Sequence, residues 1–394
     1  MTMSMELHDP AGLGMSSERL EIAAGLMDRQ YADGRSPMLA LLVARHGKLV
    51  LSHCVGDARP GGPPLTIDSL FPIASQTKPM TAAVIMALAE RGLVGLTESA
   101  SLILPELAAE HRGVMVYHLL THTSGWHEDD HDAAREAKLA DLIATVPPDT
   151  DALTHIMLGA GWDVPRRRAA GELMQYCNFN YSALGEIVRR VTGDTLDAAM
   201  RRYLFEPIGM TDSAMIVGDE LQSRVIERPS GIPFGPDHDF SAISFNDPLW
   251  AASDDGASGA HVSPADLMRF WQMILDRGMV GDTRVLSPDA VRVMTTDQIP
   301  GIGVELLGQS KGAASWGFGF GVVGTEAWVR FGAGTSDPAT IRHGGAGGIL
   351  GWIDPVSGVV AVSIEIVTEV NDFGVSRTAA LHRLEGVVNA AVLD

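Results

Sequence analysis

Lysine is almost missing: only four of the 394 residues are lysine, and the basic side chains number 29 against 49 acidic ones. The formal charge of −20 argues against nucleic acid or an anionic membrane surface as a partner, since both need a basic face. The short runs Arg166-Arg167-Arg168, Arg189-Arg190 and Arg201-Arg202 are too scattered to reverse that balance and read as solvated faces or carboxylate partners. Cysteine is equally scarce. Cys54 and Cys177 lie far apart, which argues against a disulfide framework and fits a reducing compartment. No apolar run reaches the roughly 18 residues of a membrane helix. The opening MTMSMELHDPAGLG also lacks the basic-then-apolar order of a secretory signal, so the expected location is the cytoplasm. Against these absences stands a 46% hydrophobic content over a length sufficient for one large domain or two.

The pattern of apolar residues predicts a sheet built from the two ends of the chain. SSERLEIAAGLMDRQYAD, from Ser16 to about Asp33, reads as an amphipathic helix with a serine cap and Glu18 near its start. MLALLVARHGKLVLSHCVG, from Met38, is two apolar runs joined at His46-Gly47-Lys48, a β-hairpin. A helix follows Ser75 and ends near Gly92, and from there to about Met294 the signals are mostly helical. Strand character returns in WGFGFGVVG from Trp316, GGILGWID from Gly347 and GVVAVSIEIV from Gly358, before a closing helix from Val375. This predicts an α/β (α+β) fold: an antiparallel sheet from residues 1–80 and 300–394, flanked by helices, with a mainly helical domain inserted at 81–299. HEDDHDAARE, His127 to Glu136, reads as a surface loop or a helix start, and the segment from Trp126 to Gly171 is expected to cover the cleft.

One of the four lysines stands in FPIASQTKPM, three residues after Ser75. If a helix begins at or just after Ser75, residues at i and i+3 share a face and the Lys78 amine approaches the Ser75 hydroxyl. Pro79 then falls in the first turn, where a missing N–H does no harm. Serine is a weak nucleophile that needs a partner to take its proton, and a helix N-terminus favours negative charge developing nearby. A Ser-x-x-Lys match alone also arises as a capping serine beside a surface lysine. Two further stretches bear on it. Tyr176-Cys177-Asn178 precedes a helix and offers a phenol as proton acceptor. Lowering its pKa from about 10 by three units takes about 4 kcal/mol, much of which an ammonium supplies. Tyr181 is the second tyrosine there, and chemistry alone does not choose between them. His343-Gly344-Gly345-Ala346 leads into a strand, and its glycines admit close backbone approach and an edge N–H donor.

Ser-x-x-Lys, Tyr-x-Asn and a Gly-rich strand start, in that order, resemble the serine β-lactamase and penicillin-binding-protein superfamily. The branch most similar is the class C β-lactamase-like esterases, the family VIII carboxylesterases. The resemblance runs from about Pro37 to Val367 and includes HLLTHTSG, from His118, and SPADLMRFWQMIL, from Ser263. It implies a β-lactamase/transpeptidase-like fold with the active site at the domain interface. It implies Ser75 as acylated nucleophile, Lys78 as its hydrogen-bonded partner, and Tyr176, not Tyr181, as acylation base and later acid. It further implies the backbone N–H groups of Ser75 and Ala346 as oxyanion hole, and Asn178 beside Lys78 or the substrate. His343, Gly344 and Gly345 would line the substrate site, where the related families carry Lys-Thr-Gly. That lysine helps to bind a substrate carboxylate, so its absence fits the esterase branch better than a β-lactamase. The expectation is a serine carboxylesterase for short-chain esters, taking a small-molecule substrate and no cofactor or metal. An acyltransferase, an amidase, a D-aminopeptidase or a weak β-lactamase would use the same residues.

Other stretches compete. Gly308-Gln309-Ser310-Lys311-Gly312 matches Gly-x-Ser-x-Gly, which requires a strand before it and a helix after it. His127-Glu128-Asp129-Asp130-His131 fits the His-Glu-x-x-His pattern of a zinc hydrolase, though in polar, acidic surroundings. Trp126, Trp162, Trp250, Trp352 and Met157 are candidate pocket walls, with Trp126 taken into the expected site. A binding protein with a silent site is the remaining reading from another class.

Overall fold

In a computed structural model, residues 3–107, 111–147, 151–232, 244–306, 309–313, 315–324, 335–366 and 375–394 are described. The N-terminal helix α1 (Ser17–Ala32) starts as its sequence dictates, with the Ser16 hydroxyl accepting from the Arg19 N–H at 3.3 Å. Strands β1 (Met38–Arg45) and β2 (Lys48–Gly56) form the expected hairpin. Its tip is His46-Gly47, both at positive φ (50° and 75°), the combination that a two-residue turn needs to match the strand twist. Helix α2 (Thr77–Ala89) follows a 3-10 turn at Ala74–Gln76, and Pro79 falls in its first turn.

Three helices that pack on one another follow: α3 (Glu128–Ala144), α4 (Ala152–Gly161) and α5 (Asn178–Thr192). HEDDHDAARE is therefore a helix start, with the His127 ring accepting from the Asp129 N–H at 3.2 Å. Helix α6 (Pro264–Leu275) precedes the return to strand structure. The last strands are β3 (Gly321–Val322), β4 (Ile341–Gly345), β5 (Ile349–Asp354) and β6 (Val359–Ile366), and helix α7 (Val375–Ala390) closes the chain.

The main sheet runs β3-β4-β5-β6-β1-β2, antiparallel throughout. The two chain ends meet in its middle, where β1 pairs with β6 from Met38↔Ile366 to Arg45↔Val359. All eight residues of β1 are buried. Successive side chains point to opposite faces, so such a run requires cover on both. Leu39, Leu41 and Val43 join Leu20, Met27, Leu384 and Val388 of the two terminal helices. Met38, Ala40, Leu42 and Ala44 join Phe270 and Trp271 of α6 in the main core.

The stretch WGFGFGVVG departs from the expected strand. Only Gly321–Val322 is strand, with Trp316 bridged back to Gly321. Gly319 sits at φ 83° with the start of α2 against it, and a Cβ there would lie 3.0 Å from Pro79 Cα. A tight turn, not an extended run, is what that close approach admits. No helix among the described residues is long and apolar enough to cross a membrane.

Candidate active site

Four segments converge on Lys78. The strand Phe71–Pro72 enters the 3-10 turn Ala74–Gln76, which places Ser75 immediately ahead of α2. Ala74 adopts φ 47°, a conformation costing a non-glycine residue about 1–2 kcal/mol. The turn that carries Ser75 is thus held by its surroundings. One turn after Ser75, at the second residue of α2, the fully buried Lys78 ammonium donates to Ser75 Oγ at 3.0 Å, Asn178 Oδ1 at 2.7 Å and the Ala257 carbonyl at 3.0 Å.

Ala257 comes from the run SDDGASG. Its loop is fixed by the Thr81 hydroxyl on the Gly256 carbonyl at 2.7 Å and by Asp255 on the Ala257 N–H at 3.1 Å. Asn178 and Ala257 offer only oxygen acceptors and consume two of the lysine's N–H bonds, so the third direction is committed to Ser75.

Tyr176 lies on the short link between the strand Leu173–Gln175 and α5. His122 clamps that link from both sides: its carbonyl takes the Gln175 N–H at 2.8 Å and its Nδ1 takes the Cys177 N–H at 3.2 Å. The His122 ring stacks on Tyr176 at 4.3 Å, and Lys78 Nζ lies 4.9 Å from the centre of the Tyr176 ring. Because Nδ1 accepts, the His122 proton sits on Nε2. Burial, then Lys78 and His343, hold this imidazole far below its usual pKa, and hence neutral. Tyr181, the other candidate, is fully buried and its hydroxyl donates to the Leu120 carbonyl at 2.9 Å. Burial, then Tyr176, raises its pKa well above the usual phenol value. Tyr181 supports the core.

Strand β4 borders the turn that carries Ser75. The Gln76 side chain donates to the His343 carbonyl at 2.5 Å, and a Cβ on Gly345 would lie 2.3 Å from the Ile73 carbonyl oxygen. Glycine at 345 is therefore a condition of the approach. Ala346 opens the turn after β4 and packs with Ala74 in a small apolar cluster that also holds Leu153, Met157, Phe245 and Trp250. Gly344 is exposed, and His343 is buried with Nδ1 donating to the Gly344 carbonyl at 2.8 Å. Burial, then Lys78, pushes the His343 pKa down to about 3, so it presents a neutral ring at neutral pH.

The structure thus brings Ser75, Lys78, Tyr176, Asn178, His343 and the glycines together. It does not bring Trp126 into the site. That indole is fully buried, donates to the Val164 carbonyl at 3.1 Å and packs edge-on against Phe179, His111 and His131. Trp352 lies on the far face of the sheet among the terminal helices. Of the expected walls, Trp250 and Met157 cluster with Ala74, next to Ser75.

The His-Glu-x-x-His residues diverge. His127 turns to Glu305 at 3.4 Å, His131 stacks on Phe179 at 4.5 Å, and Glu128 accepts from Asn178. In the Gly-x-Ser-x-Gly match, Gly308 lies outside the described residues and 309–313 is a strand paired with Gly303–Leu306, without the helix that an elbow needs. Three contributors escape a reading of the sequence: the Ala257 carbonyl, the His122 clamp and Glu128. Backbone atoms carry no residue signature, and Glu128 is legible only as the centre of a metal motif.

With this geometry in place, comparison with known proteins gives the following. A beta-lactamase family model matches residues 23–377. Protein Rv1367c of Mycobacterium tuberculosis (strain ATCC 25618 / H37Rv) is 29% identical over 272 residues, 60% of this chain and 62% of that protein. Esterase EstB of Burkholderia gladioli is 27% identical over 401 residues, 93% of this chain and 95% of EstB. The crystal structure of a family VIII carboxylesterase matches with a TM-score of 0.72 at 22% identity, over 94% of this chain and 99% of that one, a likeness of fold. This chain spans 62% of the length of the first curated relatives it matches.

Proposed function

The chain belongs to the beta-lactamase family and has the β-lactamase/transpeptidase-like fold, and on that premise we propose that it is a serine carboxylesterase acting by two-step acyl transfer. Ser75 Oγ attacks the ester carbonyl, the Ser75 proton passes to Tyr176, and Tyr176 returns it to the leaving alcohol. Water then cleaves the acyl-enzyme. Lys78 Nζ lies 4.9 Å from the centre of the Tyr176 ring, and the Ser75 and Ala346 N–H groups receive the oxyanion. The observation that carries this reading is the Ser75–Lys78 contact at 3.0 Å, in which Lys78 is held from behind by Asn178 and the Ala257 carbonyl.

The neutral His343 supports an ester over a β-lactam or another substrate bearing a carboxylate, because the side chain at that strand position offers such a group no positive charge. The small cluster of Leu153, Phe245 and Trp250 against Ala74 supports short acyl groups. We assign residues 1–80 with 300–394 to one unit and 81–299 to the other, with Pro264–Leu275 packed on the sheet of the first.

The test is p-nitrophenyl butyrate hydrolysis by the wild-type protein and by Ser75→Ala, both checked for folding by circular dichroism. Activity in the first and none in the second is expected. Activity surviving in folded Ser75→Ala would overturn the assignment.

A further inference from the structure

Asn178 touches Lys78 through its side-chain oxygen, and something must keep the amide turned that way, because oxygen and nitrogen ends are nearly identical in shape. Among the described residues, Glu128 performs that task. Its Oε2 accepts the Asn178 backbone N–H at 2.6 Å and its Oε1 accepts the Asn178 Nδ2 at 2.5 Å. A carboxylate only accepts, so it must receive the NH₂ end, and the oxygen end is left for the Lys78 ammonium at 2.7 Å. The same carboxylate satisfies the first N–H of α5, a helix whose N-cap residue Cys177 provides no side-chain cap.

We propose that Glu128, at the start of α3, is a positioning residue for the esterase site, setting the Asn178 amide and through it the Lys78 ammonium that contacts Ser75. The inference rests on the esterase reading given above. Glu128 acts on Lys78 through Asn178, and its charge lies one side chain behind the amine. The groups facing it are Lys78 from α2, Asn178 and the Cys177 thiol from the start of α5, and Asp132 from its own helix. Burial, then Asp132, raises the pKa of its carboxyl above the usual value, while Asn178 and Lys78 oppose that rise. The carboxylate is held inside the protein by the amide and the amine that it orients.

The pair can be exchanged without changing shape. In Glu128→Gln, an NH₂ group faces the Asn178 NH₂ and one amide must turn. In Asn178→Asp, two carboxylates face each other. In the double variant, the glutamine oxygen introduced at position 128 accepts the backbone N–H of residue 178, and its NH₂ donates to the carboxylate introduced there. The other oxygen of that carboxylate accepts from Lys78. The experiment measures kcat, KM, thermal midpoint and the pH–rate profile for p-nitrophenyl butyrate in wild type, both single variants and the double variant.

Glu128→Gln is expected to lower kcat by about 10–10²-fold with little change in KM, the scale of a misplacement near 1 Å. The double variant is expected to recover to within about tenfold of wild type. Removing the negative charge loosens the proton network, so the limb of the profile that reports it moves to lower pH in Glu128→Gln. The double variant brings the charge closer, and the same limb moves above its wild-type position. The proposal is overturned if Glu128→Gln matches wild type, or if all three variants lose activity and stability together with an unshifted profile. An inactive wild type, or an active Ser75→Ala, would instead overturn the esterase reading itself.

Discussion

Gly345 offers the sharpest test of how the proposed oxyanion hole is built. The residue is not at positive φ, so alanine meets no conformational penalty there and only space decides the outcome. The added methyl carbon would sit 2.3 Å from the Ile73 carbonyl oxygen, whereas ordinary contact begins at 3.4 Å, so the strand and the turn that carries Ser75 must part by about 1 Å. That displacement separates the proposed donors, Ser75 N–H and Ala346 N–H. Losing one such donor costs about 10²–10³ in kcat, or about 2.7–4 kcal/mol. The strain itself should cost about 1–3 kcal/mol of stability.

Gly344 supplies the control, because it is exposed and a methyl carbon added there would lie 3.7 Å from its nearest non-neighbouring atom, the Ile349 carbonyl oxygen. Stopped-flow measurement of the acylation burst with p-nitrophenyl butyrate separates the two. Gly345→Ala is expected to lose at least about 10² in the acylation rate, and Gly344→Ala to stay within a few-fold. A Gly345→Ala protein that acylates at the wild-type rate would refute the placement of the oxyanion donor on this strand.

Tyr176→Phe should lower kcat by about 10²–10⁴ with KM nearly unchanged, whereas Tyr181→Phe should keep activity and lose about 1 kcal/mol of stability with its buried hydrogen bond. Steady-state kinetics and chemical denaturation of the two variants check this. His131 is buried against Phe179 with both ring nitrogens lacking a hydrogen-bond partner among the described residues, and burial drives its pKa down to about 3. Between about pH 3 and 6.5 the unfolded chain therefore binds a proton at His131 that the folded chain does not, and stability falls as pH is lowered through that window. His131→Leu removes this term. It should be more stable than wild type at pH 5 by about 2 kcal/mol, with a smaller difference at pH 7.5, as measured by guanidinium titration at both pH values.

Much of this is legible in the residues because it depends on neighbours along the chain. The Ser16 cap, the His46-Gly47 turn and the alternation that splits β1 into two buried faces are local requirements of backbone and side-chain geometry. The Ser75–Lys78 contact belongs to the same class, since a helical turn brings i and i+3 together wherever the helix sits. WGFGFGVVG departs from its strand-like pattern for the opposite reason: its glycines serve a turn against α2, a contact that no local pattern announces.

The identity of the paired groups came from the sequence by itself: a serine with a lysine one turn later, a tyrosine opening Tyr-x-Asn, and a glycine-rich strand start without a lysine. Only the tertiary structure decided which way each faces. Tyr181 is spent on the Leu120 carbonyl, and Trp126 is shut inside the core. Glu128, 50 residues before Asn178, closes on its amide, and the Ala257 carbonyl crosses from 179 residues away to hold Lys78. Those choices turn on buried donors and acceptors finding partners far apart in the chain. That matching is a property of the packed interior and has no local pattern in the sequence.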